Sequence, residues 1–188
     1  MFTIPNILTM GRLLLVPCFL LASMRGMWVT AFVIFVAAAV TDFFDGMIAR
    51  RFNLRSRLGA ILDPAADKTL MVCGYLFYTI SHRVPLVRIP VWLTFTVFIR
   101  DFLIASFAYL VYTRVHVKRF PPSWLGKVST TAQAITLGTA IGVNAFVPQL
   151  LWMVNLFFQA ALVITLASGW DYLRRGEKLL DAGLATAS

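Results

Sequence analysis

The chain has few charged residues and little cysteine or histidine. Only 13% of its 188 residues are charged, while 60% are hydrophobic and the mean hydropathy is +0.80. This composition excludes an ordinary soluble domain. Its two cysteines, Cys18 and Cys73, lie in apolar segments without a His or Cys at ligand spacing, so neither a redox nor a zinc role is expected. No linker, low-complexity tract or internal repeat divides the sequence. We therefore expect one integral membrane domain.

Six apolar stretches are each long enough to span a membrane as a helix, which takes about 20 residues. They lie at about 7–24, 28–50, 60–81, 89–113, 125–147 and 149–173. The tail from about 179 to 188 is expected to be frayed. The first stretch lacks a preceding basic run and a small-x-small cleavage site, so we expect it to be retained rather than removed as a signal peptide. The predicted fold is an all-α integral membrane protein with six transmembrane helices.

The basic residues indicate which side of the membrane each loop faces. With a cytoplasmic N-terminus, the inside segments hold Arg12, Arg50, Arg51, Arg55, Arg57, Arg114, Lys118, Arg119, Lys127, Arg174, Arg175 and Lys178. The outside loops hold only Arg25, Arg83 and Arg88. This asymmetry satisfies the positive-inside rule, and the even helix number places both termini in the cytoplasm. The net charge of +9 is explained by anionic lipid headgroups, whose attraction stabilises each such cation by ~1 kcal/mol. No nucleic-acid partner is therefore expected.

Four aspartates lie in apolar surroundings near the cytoplasmic boundary. Asp42 and Asp45 fall at the end of the second predicted helix, and Asp63 and Asp67 at the start of the third. Spacings of three and four residues place each pair on one helix face. Ionised carboxylates are costly in a membrane, and four together would repel one another unless cations hold them. Because carboxylate oxygens suit divalent ions, the pattern predicts a metal site open to the cytosol.

Small residues and one arginine accompany these aspartates. Gly46, Ala49 and Gly59 leave the adjoining helix walls without bulky side chains, so that a planar ligand could lie on the backbone. The alternative is the small-residue helix packing that is common in membranes. The guanidinium of Arg50 suits a diphosphate, although Arg50 could instead be an inside anchor like Arg51. A shallow site favours chemistry at the membrane surface over ion transport, which needs carboxylates at the midplane and beyond.

The run from Asp42 to Asp67 fits the pattern D-x2-D-G-x2-A-R-x8-G-x3-D-x3-D and thereby resembles the CDP-alcohol phosphotransferases. The resemblance implies a homodimer of six-helix subunits with two Mg²⁺ or Mn²⁺ ions at a cytosolic site, where an alcohol displaces CMP from a CDP-activated lipid. It implies that all four aspartates share the metals and that Asp67 is also the base. Gly46, Ala49 and Gly59 would line the cytidine pocket, with Arg50 on the diphosphate.

Two further segments are similar to two groups within this family, the phosphatidylglycerophosphate synthases and the eukaryotic-type cardiolipin synthases. In both groups the segment like Ile4–Arg12 begins at the membrane surface, which implies an interfacial stretch at about 1–7. Asn6 and Arg12 are candidates for nucleotide contacts, the alternatives being an N-cap and a lipid-facing anchor. The second segment, Pro122–Gln133, contains Lys127, a candidate cation for the acceptor.

Arg100 and Asp101 are adjacent within the fourth predicted helix, among apolar residues. Neither can face lipid cheaply, so both are expected to point into the bundle. One role is a buried ion pair with a partner on another helix, and the other is binding of the acceptor's phosphate by Arg100. The synthases that use glycerol 3-phosphate usually have Arg-Glu here and a second arginine about a dozen residues on, whereas this chain has Arg-Asp and an apolar run up to Arg114.

The expected reaction is transfer of the phosphatidyl group of CDP-diacylglycerol to sn-glycerol 3-phosphate, releasing CMP. The alternative acceptor is phosphatidylglycerol, which would give cardiolipin, and inositol phosphate or serine is less supported. Cations at Arg100, Arg114 and Lys127 suit an anionic acceptor. A divalent-cation carrier would need carboxylates towards the outer face, and the last two helices contain none before Asp171. A non-catalytic scaffold would give no reason to bury four acids. The expected location is a cell membrane, the bacterial inner membrane in a prokaryote, with the active site facing the cytoplasm.

Overall fold

The computed structural model describes the backbone of residues 4–52, 59–115, 123–146 and 148–185, and the side chains of 10–41, 68–107, 123–146 and 149–175. Within these ranges the chain forms six α-helices and one short 3-10 helix, with no β-strand. The α-helices are α1 (Ile4–Met24), α2 (Trp28–Phe52), α3 (Gly59–Ile80), α4 (Val91–Val115), α5 (Trp124–Ala145) and α6 (Leu151–Ala185). The 3-10 helix, Pro148–Leu150, directly precedes α6. The prediction of an all-α fold is confirmed.

Most predicted helix ends agree closely with the structure, but both ends of the chain differ. α1 begins at Ile4, so residues 4–7, which were predicted to lie at the interface, are helical and form its first turn. Pro5 explains this start, because its fixed φ suits the first turn of a helix. α6 continues to Ala185, past the predicted end at 173 and through most of the tail that was expected to be frayed. Good helix formers without proline follow Leu173, and Arg175 Nε donates to Asp171 Oδ1 one turn back at 3.0 Å.

Local signals set the other helix ends. Ser123 Oγ accepts a hydrogen bond from Gly126 N at 2.8 Å, which makes Ser123 the N-cap of α5. The carbonyl of Pro90 accepts from Leu93 N at 3.0 Å at the start of α4. Between α1 and α2, Gly26 has a φ of 73°, a left-handed conformation that glycine adopts without steric cost.

The chain divides into two compact units. The first comprises Met1–Ile89 and Leu137–Trp152, and the second comprises Pro90–Thr136 and Met153–Ser188. The first unit therefore contains α1, α2, α3 and the C-terminal part of α5. The second contains α4, the N-terminal part of α5 and nearly all of α6.

Aromatic rings hold the helices of the first unit together. The Phe19 ring of α1 lies 6.4 Å from that of Tyr78 on α3 and 6.3 Å from that of Phe35 on α2, and all three side chains are buried. Aromatic pairs at such distances stabilise a core beyond the area they bury. On α5, Gly138 and Gly142 face Phe35 and Phe32, since a Cβ at either glycine would lie 3.1 Å from the facing ring. The absent side chains thus let α5 approach α2 closely.

Buried polar side chains hold the helices of the second unit together. Ser129 on α5 and Thr165 on α6 are both fully buried, and their hydroxyl oxygens lie 3.3 Å apart. Gln133 Nε2 donates to Ser129 Oγ at 3.3 Å and to Thr165 Oγ1 at 3.4 Å. Interhelical hydrogen bonds of this kind are a common means of association between membrane helices.

One helix in the described part of the chain is long and apolar enough to cross a membrane, at Leu151–Arg175. Only 28% of its apolar window is buried inside the protein, which is low for the core helix of a soluble domain. Shorter apolar helices occur at Met10–Met24 and Trp28–Thr41. Large apolar side chains are exposed on other helices too, among them Leu14 at 69% and Phe102 at 72%.

Candidate active site

The predicted metal ligands lie on two helices of the first unit. Asp42 and Asp45 are in the last turns of α2, and Asp63 and Asp67 are in the first turns of α3. The backbone is helical at these positions. The spacing of three or four residues therefore places the two aspartates of each pair on one face of their helix. No cluster of metal-ligating side chains occurs among the side chains the structure describes, and these four aspartates lie outside that set.

The companion residues of the pattern occupy the same two helices. Gly46, Ala49 and Arg50 follow Asp45 in α2, and Gly59 is the first residue of α3. The side chains of Ala49 and Arg50 lie outside the described residues, as do those of Asn6 on α1 and Arg114 on α4.

Arg12 is the one nucleotide-contact candidate whose side chain is described. Its helix, α1, packs against both α2 and α3, the helices that carry the aspartates. Arg12 is only 2% exposed, so it does not fit the alternative of a lipid-facing anchor. A buried guanidinium suits an anionic ligand, to which it can offer both charge and hydrogen bonds.

Arg100 lies at the junction of three helices in the second unit. Its Nη1 donates to Asp101 Oδ1 at 2.8 Å, so the ionic partner is its neighbour in α4 rather than a residue of another helix. Its Nη2 donates to Ser168 Oγ of α6 at 2.6 Å and to the Gly126 carbonyl of α5 at 3.4 Å. The residue is 6% exposed. The predicted ion pair with a partner on another helix is therefore not what the structure shows for Arg100, and neutral oxygens join Arg100 to α5 and α6.

One donor of Arg100 has no acceptor within the described part of the chain. Its Nε is buried and makes no hydrogen bond within the described part of the chain. A buried donor without an acceptor is destabilising, and a phosphate oxygen would satisfy it. Lys127 follows Gly126 in the first turn of α5 and is exposed, which is compatible with its predicted contact to an anionic acceptor.

The sequence analysis missed two residues of α6 beside Arg100. Ser168 accepts the shortest of its hydrogen bonds, and the Tyr172 ring centroid lies 5.9 Å from its guanidinium carbon. The Tyr172 hydroxyl also accepts from Ser123 N at 3.2 Å. Their spacing of four residues places both on one face of α6, and this spacing was the only available sequence signal.

Comparison with known proteins identifies the family. Residues 2–167 match the CDP-alcohol phosphatidyltransferase family, a match that includes the whole stretch from Asp42 to Asp67. Proteins named CDP-diacylglycerol--glycerol-3-phosphate 3-phosphatidyltransferase from Escherichia coli (strain K12), Shigella flexneri serotype 5b and Shigella sonnei are each 36% identical to this chain over 184 residues. Each alignment covers 92% of this chain and 93% of the relative. The chain belongs to the CDP-alcohol phosphatidyltransferase family.

Proposed function

We propose that this protein transfers the phosphatidyl group of CDP-diacylglycerol to sn-glycerol 3-phosphate and releases CMP. The observation that carries the proposal is a complete eight-position pattern from Asp42 to Asp67 in a chain 36% identical to relatives whose name states this donor and acceptor. The same names favour glycerol 3-phosphate over phosphatidylglycerol, despite the Arg-Asp sequence at 100–101.

Two divalent ions, Mg²⁺ or Mn²⁺, would be held by the four aspartates. The donor set fits them, because these ions prefer carboxylate oxygens to nitrogen or sulfur ligands. When bound, such ions neutralise the diphosphate and stabilise the charge that develops as CMP departs.

The residues of α1, α2 and α3 would bind and orient the donor. Gly46, Ala49 and Gly59 leave space for the cytidine, and Arg50 pairs with the diphosphate. Arg12, a buried residue of the helix that packs against α2 and α3, and Asn6 would contact the nucleotide. Asp67 would accept the proton of the attacking hydroxyl, since a positioned carboxylate is a suitable general base.

The acceptor would be bound through cations of the second unit. The Nε of Arg100 is a buried donor without an acceptor in the described part of the chain, and it would donate to one phosphate oxygen. Hydrogen bonds to Asp101 and Ser168 fix the orientation of the guanidinium. Lys127 and Arg114 would add positive charge, which attracts a phosphorylated alcohol and disfavours a neutral one.

The protein would span the membrane six times as a homodimer, with both termini and the active site in the cytoplasm. The charge asymmetry of the loops supports this orientation. On α6, Trp152 and Trp170 are both largely exposed, and 18 residues of helix between them span about 27 Å. Tryptophans at this separation match the two membrane interfaces.

A direct test is to incubate the purified protein with CDP-diacylglycerol and Mg²⁺ and to measure CMP release with each acceptor separately. Glycerol 3-phosphate should support release, whereas phosphatidylglycerol, inositol phosphate and serine should not. Excess EDTA should stop release, and added Mg²⁺ or Mn²⁺ should restore it. CMP release with phosphatidylglycerol as the only effective acceptor would indicate cardiolipin synthesis instead. CMP release in excess EDTA would show that the reaction does not need a divalent ion.

A further inference from the structure

Four basic side chains gather at the end of α1 and α3 that is opposite the aspartates. Arg83 Nη1 donates to the Met24 carbonyl, at the end of α1, at 2.9 Å, which brings Arg83 close to Arg25. Arg88 Nη1 lies 3.2 Å from Nδ1 of His82, the residue before Arg83. Arg25, His82, Arg83 and Arg88 thus form a basic cluster, and all four residues are exposed.

No acidic residue compensates the charge of the basic cluster. The sequence has no Asp or Glu among residues 1–41 or 68–100, and the arginines of the cluster make no ion pair within the described part of the chain. Because a guanidinium can only donate, Nδ1 of His82 accepts the bond from Arg88 and leaves Nε2 with the proton. The remaining polar atoms of these four side chains are therefore all donors, which suit the oxygens of a phosphate group.

An apolar groove between α1 and α3 leads away from the basic cluster. Its volume is about 370 Å³, and it is lined by Leu20, Cys73, Leu76, Phe77, Ile80 and Ser81. Ser81 Oγ accepts a hydrogen bond from Arg83 N at 3.2 Å, and Leu20 lies one turn before Met24, whose carbonyl binds Arg83. The groove therefore ends at the basic cluster.

The groove and the cluster lie at the level of a membrane interface, away from the proposed active site. Trp28, at the start of α2, packs against Tyr78 of α3 with their ring centroids 6.2 Å apart, and tryptophan at a helix end is typical of the interface where headgroups lie. Ile80 lies about 20 Å along α3 from Asp67, at ~1.5 Å per residue. The basic cluster is therefore too distant to contact a diphosphate held by the aspartates.

We propose that the groove and the basic cluster bind one anionic phospholipid, with an acyl chain in the groove and the headgroup phosphate on the arginines. The apolar lining suits a hydrocarbon chain, and the adjoining cations attract a negatively charged headgroup. A free phosphate ion would leave the groove uncovered, and a zwitterionic lipid would bring no net charge to the cluster. This site is separate from the proposed active site and does not depend on the proposed reaction.

Photolabelling tests which lipid the groove selects. The protein, in vesicles of phosphatidylcholine, is irradiated with a trace of phosphatidylglycerol that carries a diazirine in one acyl chain, and the labelled residues are mapped by mass spectrometry. Labelling of Leu20, Leu76 and Phe77 should be at least about five-fold stronger than with the matching phosphatidylethanolamine probe. Unlabelled phosphatidylglycerol should compete, whereas inorganic phosphate at constant ionic strength should not. Equal labelling by both lipids, or loss of labelling in phosphate, would overturn the proposal.

Arg25→Gln tests the basic cluster without disturbing a contact, because the Arg25 side chain is exposed and makes no hydrogen bond within the described part of the chain. Labelling of the groove by phosphatidylglycerol should fall about five-fold, as expected for the loss of one cation. Labelling by phosphatidylethanolamine should not change. Arg175→Gln, which removes one partly exposed charge from α6, is the matched control and should leave both unchanged. Equal effects of the two substitutions would overturn the role of the cluster.

Leu76→Trp tests the groove itself. Leu76 is 39% exposed, so a larger ring there should fill the groove without entering the core and should reduce the labelling of Leu20 by phosphatidylglycerol. Leu14→Trp, on an exposed part of α1 outside the groove, is the control and should leave that labelling intact. Unchanged labelling of Leu20 in Leu76→Trp would show that the acyl chain does not lie in the groove.

Discussion

The two units of this protein hold their helices together by different means. In the first unit, the Phe19, Phe35 and Tyr78 rings pack together, and glycines of α5 face the rings of α2. In the second, buried Arg100 and the buried hydroxyls and amide of α5 and α6 form hydrogen bonds between helices. The first unit also carries the four aspartates of the family pattern. The described helices of the first unit are thus held largely by aromatic rings and close glycine contacts, whereas in the second unit polar groups also join the helices.

The largest effect should come from removing the carboxylate of the first unit that is proposed to act as the base. Asp67→Asn should lower CMP release by about 10²–10⁴-fold, the range for loss of a general base, and by more if a metal is lost too. Because Asp67 is not expected to hold the helices together, thermal stability should stay close to that of the unsubstituted protein. CMP release and a melting curve on the same sample measure both.

Asp171→Asn is the control for this substitution. Asp171 pairs with Arg175 on α6, where the arginine side chain is 48% exposed, so its loss should leave transfer intact. Turnover by Asp67→Asn at the unsubstituted rate would exclude Asp67 as the base.

The next largest effect, on the unfolding free energy, should come from removing the charge of Arg100, which joins helices of the second unit. Arg100→Met removes one partner of Asp101 and the donor to Ser168, and the loss of hydrogen bonds made by a charged group should lower the unfolding free energy by about 1.5–3 kcal/mol. Adding Asp101→Leu should recover part of that loss, since an apolar pair can replace a buried ion pair at little cost. Equilibrium unfolding in mixed micelles compares the two variants.

The kinetics of the double variant test whether Arg100 also binds substrate. If its Nε contacts the acceptor's phosphate, KM for glycerol 3-phosphate should rise far more than KM for CDP-diacylglycerol. An equal rise in both would leave Arg100 a purely structural role.

Asn144 is an exception in the first unit, because there a polar side chain holds the structure. Its Oδ1 accepts from Leu86 N at 3.0 Å and Val87 N at 3.2 Å, and its Nδ2 donates to the carbonyls of Val87 and Ala140. Asn144→Ala leaves the N–H groups of Leu86 and Val87 and the Val87 carbonyl without this partner, and it should cost about 2–3 kcal/mol of unfolding free energy. Gln149→Ala, which removes an exposed amide of the same unit, should cost almost nothing in the same assay.

Much of the fold could be predicted because its signals are local. Apolar stretches of helical length gave the six helices, and Pro90 and Ser123 mark starts that depend on residues within a turn or so. The apolar span predicted at about 149–173 agrees with the one found at Leu151–Arg175, but α6 continues to Ala185, because hydropathy reports where the apolar stretch ends and not where helix formation ends. The residues from Arg174 to Ala185 include more charged side chains, but most of them favour a helix.

The site was only partly predictable, for the same physical reason. The aspartate spacing can be read along two helices, and the helical backbone at Asp42–Asp45 and Asp63–Asp67 agrees with it. The partners of Arg100 could not be read in this way. Ser168 and Gly126 are 68 and 26 residues away, and neutral oxygens leave no charge pattern that would pair them with an arginine.

The smallest change in unfolding free energy should come from adding one methyl group to a glycine in each unit. A Cβ at Gly126 would lie 3.0 Å from Ser123 Oγ and from both Cε2 and the hydroxyl of Tyr172, and these two residues are fixed by the bond between them. At Gly142 the Cβ would lie 3.1 Å from the edge of the Phe32 ring alone, and that ring is only half-buried. Alanine gains about 1 kcal/mol over glycine within a helix, which offsets a small shift but not a fixed clash of about 1–3 kcal/mol. Gly126→Ala should therefore lower the unfolding free energy by about 1 kcal/mol, while Gly142→Ala should leave it unchanged or raise it. Equal losses at both glycines would mean that the aromatic packing of the first unit is as rigid as the hydrogen-bonded packing of the second.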